Sequence, residues 1–403
     1  MRVVARSNWV RVASLAAVGA LALSACGGGD SAETAAESAT EEAVAEETAA
    51  EEAAAGGECT EVTPASLQLQ WFVQSQFAGY YAAKDLGFYD EACLDVSILE
   101  GGVDIVPQTV LAQGGADFAI SWVPKALASR EQGAGIVNVA QVFQRSGTLQ
   151  VSWKDSNITK PEDFTGKKIG NWGFGNEYEV FAAITKAGLD PATDVELVQQ
   201  QFDMLALLNR EIDAAEAMTY NEYAQVLEAV NPETGELYTP DDFNVVDYNE
   251  VGVAMLQDAI WASEERLSDP AYQDLTQRFV TASLKGWIYC RDNPQECADI
   301  ITANGSQLGA SHQLWMMNEV NKLIWPSPAG VGVTDPALWG QTVEVALNTA
   351  NLEGATIITA EPAEGAYTNQ FAEAANAALT ADGLDTTGDG FAPISVTLNE
   401  GGN

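Results

Sequence analysis

The chain is expected to fold as an α/β protein of two lobes. Short strand-like runs rich in β-branched and aromatic residues alternate with helical stretches, as in βαβ units that build largely parallel sheets. The alternation is completed once before Ser156 and begins again after it. The portion from Glu58 to Asn403 is also longer than one simple core organises.

In the first unit, Leu67 to Val73 is expected as a strand and Phe77 to Tyr89 as a helix. Leu94 to Leu99 is a second strand, Ile105 to Gln113 a helix, Phe118 to Trp122 a third strand and Val137 to Phe143 a fourth. The second unit runs Lys168 to Trp172 (strand), Tyr178 to Ala187 (helix), Val195 to Gln199 (strand) and Met204 to Arg210 (helix). Ala214 to Met218 then makes a strand backed by the helix Asn221 to Val230. Strands near Leu149–Trp153 and Leu256–Trp261 would cross between the lobes. Beyond Asp269 the pattern is helical, over Tyr272–Tyr289, Gln295–Thr302, Ser311–Leu323, Trp339–Ala350 and Gln370–Leu379, a C-terminal extension expected to pack back onto the first lobe.

The N-terminus has a different character. Arg2, Arg6 and Arg11 precede an apolar run from Val12 to Leu23, too short to span a bilayer comfortably and suited to an export signal. It ends in Leu23-Ser24-Ala25-Cys26, which resembles the bacterial lipobox and implies a diacylglyceryl group on Cys26. Multiple acyl chains on one residue anchor a protein durably. From Asp30 to Gly57 the chain is Ala, Glu, Thr, Ser and Gly, with too little apolar bulk for a core, and is expected as a solvated tether. The expected organisation is therefore signal peptide 1–25, acylated Cys and tether 26–57, first lobe 58–152, second lobe 153–255, and a return crossover with helical completion 256–403.

Composition excludes several functions. The 58 acidic and 18 basic residues give a formal charge of −40, leaving no basic patch for nucleic acid. Four cysteines remain besides Cys26, an even number that favours disulfides outside the cytoplasm. Of three possible pairings, Cys290 with Cys297 is favoured across a Pro-containing turn, which leaves Cys59 and Cys93, each just before a strand. The one histidine, His312, and the absence of metal-ligand spacing argue against a zinc site or a His-based triad. No cofactor is implied.

The run Leu69-Gln70-Trp71-Phe72-Val73-Gln74-Ser75-Gln76-Phe77-Ala78-Gly79-Tyr80-Tyr81 resembles the opening of a binding-protein family that serves import of thiamine pyrimidine precursors. Its relatives include sulfonate and nitrate binders and a eukaryotic pyrimidine synthase of the same fold. The likeness continues through Gly87-Phe88-Tyr89, Gly101-Gly102, Ala116-Asp117-Phe118 and Pro161-Glu162-Asp163-Phe164-Thr165-Gly166. It implies a two-lobed, type II periplasmic-binding-protein-like fold with its ligand in the cleft. The implied partners are an ABC permease and its ATPase, and the implied location is the outer face of the cell membrane, held by a lipid anchor.

Ligands of parallel α/β sheets sit beyond the carboxyl ends of strands. Trp71, Gln74, Gln76 and Phe77 follow the first strand, with Tyr80 one helical turn on, and Trp122 ends the third. Rings with a few amides suit a flat heteroaromatic ligand better than a bare oxyanion, which would call for Arg or Lys. In the second lobe, Trp172 and Asn176 take the ligand-facing loop that the resemblance implies. Tyr220 and Glu222 open a helix, where Glu222 would meet ring nitrogen and amino hydrogens or merely favour the helix dipole. Asp258 on the return crossover and Gln201 are further candidates, and Arg145 near the hinge would pair a ligand anion or a surface acid. The ligand expected is a hydroxymethyl- or formylamino-pyrimidine, with riboflavin or another flavin next, then sulfonate or nitrate. A synthase activity is disfavoured, because Phe77 stands where the resemblance places a histidine and Val253–Ala259 replaces a Cys-rich stretch.

Overall fold

The computed structural model describes residues 59–403; the signal segment, Cys26 and the tether lie outside them. The chain runs β1 (Thr63–Gln68), α1 (Ala78–Asp85), α2 (Phe88–Glu91), β2 (Leu94–Leu99), α3 (Pro107–Ala112), β3 (Phe118–Trp122), α4 (Val123–Glu131) and β4 (Ile136–Gln141). It continues through β5 (Thr148–Trp153), β6 (Lys168–Asn171), α5 (Tyr178–Lys186), β7 (Glu196–Gln199), α6 (Leu205–Leu208), β8 (Ala214–Met218), α7 (Glu222–Leu227), β9 (Phe243–Asp247) and α8 (Tyr248–Val251). β10 (Asp258–Ser263) leads into α9 (Pro270–Asp292), α10 (Pro294–Ala303), α11 (Ala310–Ile324), α12 (Pro336–Asn348) and α13 (Gln370–Ala381).

Two five-stranded sheets result, ordered β2-β1-β3-β10-β4 and β7-β6-β8-β5-β9. In the first, β1 is parallel to β2 and β3, while β10 is antiparallel to both β3 and β4. The second repeats this scheme, with β6 parallel to β7 and β8, and β5 antiparallel to β8 and β9. The reversed strand in each sheet is the one that arrives from the other lobe.

Three local differences from the sequence pattern have physical causes. β1 lies earlier than expected, because its partner β2 ends at Leu99 and Gln68 has the last pairing. Leu69 to Val73 therefore leaves the sheet as loop. A Cβ on Gly101 would lie 2.4 Å from the Gln70 backbone, so this close approach requires glycine. The first long helix is broken at Gly87, whose φ of 79° ends α1 and starts α2. α4 and β9 had no strong pattern of their own; α4 begins directly at the end of β3, with Pro124 in its first turn.

α9 is the central helix of the first lobe. It crosses α1 where Gly286 and Gly79 meet, and a Cβ on Gly286 would lie 2.0 Å from the Gly79 carbonyl oxygen. Trp287 is fully buried there. The C-terminal helices do not keep to the first lobe. On α12, Trp339, Val343 and Ala346 join a first-lobe core cluster while Val345 joins the second-lobe core, and Ile357 packs against both. On α11, His312 Nδ1 lies 2.8 Å from Glu228 and its Nε2 3.0 Å from Asn221, both in the second lobe. Trp315 Nε1 donates to the Thr219 carbonyl. Two disulfides close loops of 34 and 7 residues, Cys59–Cys93 and Cys290–Cys297.

Candidate functional site

A cavity of about 640 Å³ opens between the carboxyl ends of the two sets of parallel strands. The first lobe contributes Gln70, Trp71, Gln74 and Gln76 from the loop after β1, residues of the Gly102–Gln108 segment after β2, and Trp122 at the end of β3. The second contributes Trp172, Phe174 and Asn176 after β6, Phe202 after β7, and Tyr220, Asn221 and Glu222 after β8. Thr356 and Ile357 of the C-terminal extension complete one wall.

Rings from the two lobes meet here. Phe202 lies 5.0 Å from Trp71 and 6.1 Å from Trp172, stacked on the latter with 20° between planes. Phe72 meets Trp71 edge-on at 5.2 Å. Phe174 is 74% exposed at the mouth and sits at φ 55°, a left-handed conformation uncommon for non-glycine residues.

Behind the first-lobe wall, Asp258 accepts three hydrogen bonds, from Gln70 Nε2 and the Trp122 indole at Oδ1 and from Gln76 Nε2 at Oδ2. Gln74 Nε2 donates in turn to Gln76 Oε1. One carboxyl thus fixes the rotamers of a row of amides and an indole at the cavity surface. Burial raises Asp258 to about 7, against the pull of these donors and of Lys125. In the second lobe, Glu222 accepts from the Met218 N–H and from Asn221 Nδ2, both at 3.0 Å, and burial raises it to about 7 as well. Glu216, buried in β8, accepts from the Trp172 N–H and is raised well above the carboxylate range by burial.

Eight of the residues singled out from sequence line the cavity: Trp71, Gln74, Gln76, Trp122, Trp172, Asn176, Tyr220 and Glu222. Asp258 supports the wall from behind it. Phe77 and Tyr80 do not reach the cavity: Phe77 is fully buried in the first-lobe core, and Tyr80 meets Trp287 edge-on at 5.5 Å. They follow the turn at Ser75 into α1, whose inner face packs on α9. Gln201 is exposed and off the wall. Arg145 donates to the carbonyl oxygens of Lys322, Leu323, Trp325 and Pro326, so it ties the interlobe segment to the end of α11. Sequence reasoning passed over Gln70, Lys125, Phe174 and Phe202. Lys125 had one available signal, its place three residues after a strand-ending Trp at the start of a helix.

The family described as NMT1/THI5 like matches residues 74–297, more than half of the chain. The chain belongs to this family. A formylaminopyrimidine-binding protein from Halalkalibacterium halodurans is 22% identical over 59% of this chain and 69% of its own. The riboflavin-binding protein RibY from Chloroflexus aurantiacus is 26% identical over 76% of this chain and 85% of its own. A 4-amino-5-hydroxymethyl-2-methylpyrimidine phosphate synthase from Legionella pneumophila is 23% identical over 32% and 40%. The fold is that of solute-binding proteins: the periplasmic aliphatic sulphonate binding protein SsuA from Escherichia coli superposes with a TM-score of 0.53 at 15% identity, over 70% of this chain and 85% of that one.

Proposed function

We propose that this chain is the extracytoplasmic solute-binding receptor of an ABC importer and that it captures a small heteroaromatic nutrient, first of all an aminopyrimidine precursor of thiamine. The observation that carries this reading is Glu222, a buried carboxyl in the wall of a cavity otherwise lined by rings and amides. A carboxyl group matches the ring-nitrogen and amino edge of an aminopyrimidine with two hydrogen bonds, and the indoles of Trp71 and Trp172 suit the ring faces. The amides held by Asp258 supply further donors and acceptors from the opposite lobe. Closure of the lobes would surround the ligand, and the closed form would dock on a membrane permease driven by a separate ATPase. The lipobox-like Leu23–Cys26 supports attachment to the outer face of the membrane by a lipid.

Phe77 in the core, in place of a histidine, supports binding over catalysis. A second reading, a flavin, is favoured by the cavity volume, which exceeds the needs of one substituted pyrimidine ring. The test is thermal unfolding of the protein against hydroxymethyl- and formylamino-pyrimidine, riboflavin, taurine and nitrate. A ligand of the folded state must raise the midpoint. A rise with the pyrimidines supports the first reading and a rise with riboflavin alone the second. A rise only with taurine or nitrate sinks both.

A further inference from the structure

Lys125 is the one lysine in the cavity wall. It stands in the first turn of α4, and its ammonium lies 4.9 Å from the centroid of the Trp122 ring. Its stem reaches the opposite lobe, since a Cβ on Gly175 would lie 3.8 Å from Lys125 Cγ. Among the described residues it has no carboxylate within salt-bridge distance and donates no side-chain hydrogen bond, although the protein is strongly acidic. From the second lobe the cavity lining includes Trp172, whose indole Nε1 is buried and has no hydrogen-bond partner. Buried polar groups normally have partners, so an unmet indole N–H in the lining of a cavity that also holds an unpaired ammonium points to a ligand group.

We propose that Lys125, with the Trp172 indole N–H, forms a subsite for an oxyanion carried by the ring ligand, a phosphate, carboxylate or sulfonate. This rests on the reading of the cavity as a ring-binding site and narrows its ligand class. The carboxyls nearest in effect to Lys125 are Glu177, Glu216 and Asp258. Burial drives Glu216 and Asp258 towards their neutral forms, and Glu177, which accepts from the Gly175 N–H at 2.8 Å, makes no ion pair with the ammonium. The ammonium is the one cationic side chain in the cavity lining. Burial lowers Lys125 to about 8, so its charge is present at neutral pH and is lost just above it.

The test is titration calorimetry of the protein, Lys125→Met and Lys125→Arg with two matched pairs: riboflavin and its 5′-phosphate, and hydroxymethylpyrimidine and its phosphate. In the wild type the phosphorylated member should bind about tenfold more tightly or better, roughly the worth of one charge-assisted hydrogen bond. The gap should close in Lys125→Met, persist in Lys125→Arg, and shrink as pH rises from 7 to 9. Equal or weaker binding of the phosphorylated member, or a gap that survives Lys125→Met, overturns the subsite while leaving the ring site standing. Should no ring compound bind, methanesulfonate separates the two ideas. Its capture by the wild type but not by Lys125→Met keeps the subsite and removes the ring reading, and no capture removes both.

Discussion

The Trp122 indole N–H donates to Asp258 Oδ1 at 2.8 Å, joining the last residue of β3 to the first residue of β10. The two are register partners on adjacent antiparallel strands, so the crossover that returns from the second lobe delivers the carboxyl that aims the cavity's indole. Removing that acceptor should therefore disturb both the fold and the site.

Asp258→Asn places a donor among the three side chains that now donate to the carboxyl. It should lower stability by about 1–3 kcal/mol through mismatched buried hydrogen bonds and weaken ligand binding. Denaturant titration and calorimetry check both effects; an unchanged midpoint together with unchanged affinity would show that the triad of donors does not matter.

Trp71→Ala and Phe77→Ala should separate binding from packing. Trp71 lines the cavity and is only partly buried, so its loss should cost affinity with little change in stability. Phe77 is fully buried, and its truncation should cost about 3–5 kcal/mol of stability. Glu222→Gln should also cut affinity for an aminopyrimidine. Unaltered affinity in both Trp71→Ala and Glu222→Gln removes the proposed contacts.

Stability should fall as pH rises from 5 to 8. Burial raises Glu179, Glu222 and Asp258 to about 7, above their unfolded values. The folded state therefore holds protons that the unfolded chain has released. The associated stability is complete below the unfolded values and is lost as pH passes through about 7. For Glu179 alone the shift corresponds to on the order of 3 kcal/mol. Thermal midpoints across this range should slope downwards and flatten in Glu179→Gln; a profile rising with pH contradicts the assignment.

The disulfides should differ in worth. Closing 34 residues restricts the unfolded chain more than closing 7, by about 4 against about 2 kcal/mol. Paired alanine variants of Cys59 and Cys93, compared by denaturation with paired variants of Cys290 and Cys297, measure this difference. Equal losses would show that packing around the buried Cys290–Cys297 pair makes up the deficit.

Strand–helix alternation made both lobes legible, because period and turn residues are local signals. β2, β3 and β8 fell within the expected bounds, whereas β1 was displaced by where its partner ends, which no residue of β1 encodes. Cavity-lining positions at strand ends were legible for the same reason: Trp122 and Tyr220 need only the strand's end to be placed. Phe77 and Tyr80 were not, since the direction of a ring in the turn into α1 or on α1 itself depends on α9, some two hundred residues away. The contribution of Lys125 was hidden by its helix, and that of Thr356 and Ile357 by the distance of the extension from the core units.

The grip of α12 on both cores gives any motion of the lobes a thermal signature. Parting them would peel Val345 or Ile357 from one partner and wet apolar surface on the wall beside the cavity. Closure would then reverse that hydration. Ligand capture should accordingly carry a negative heat-capacity change larger than the ligand's own surface explains, and the affinity of the site should bend with temperature even for a ligand held mainly by polar contacts.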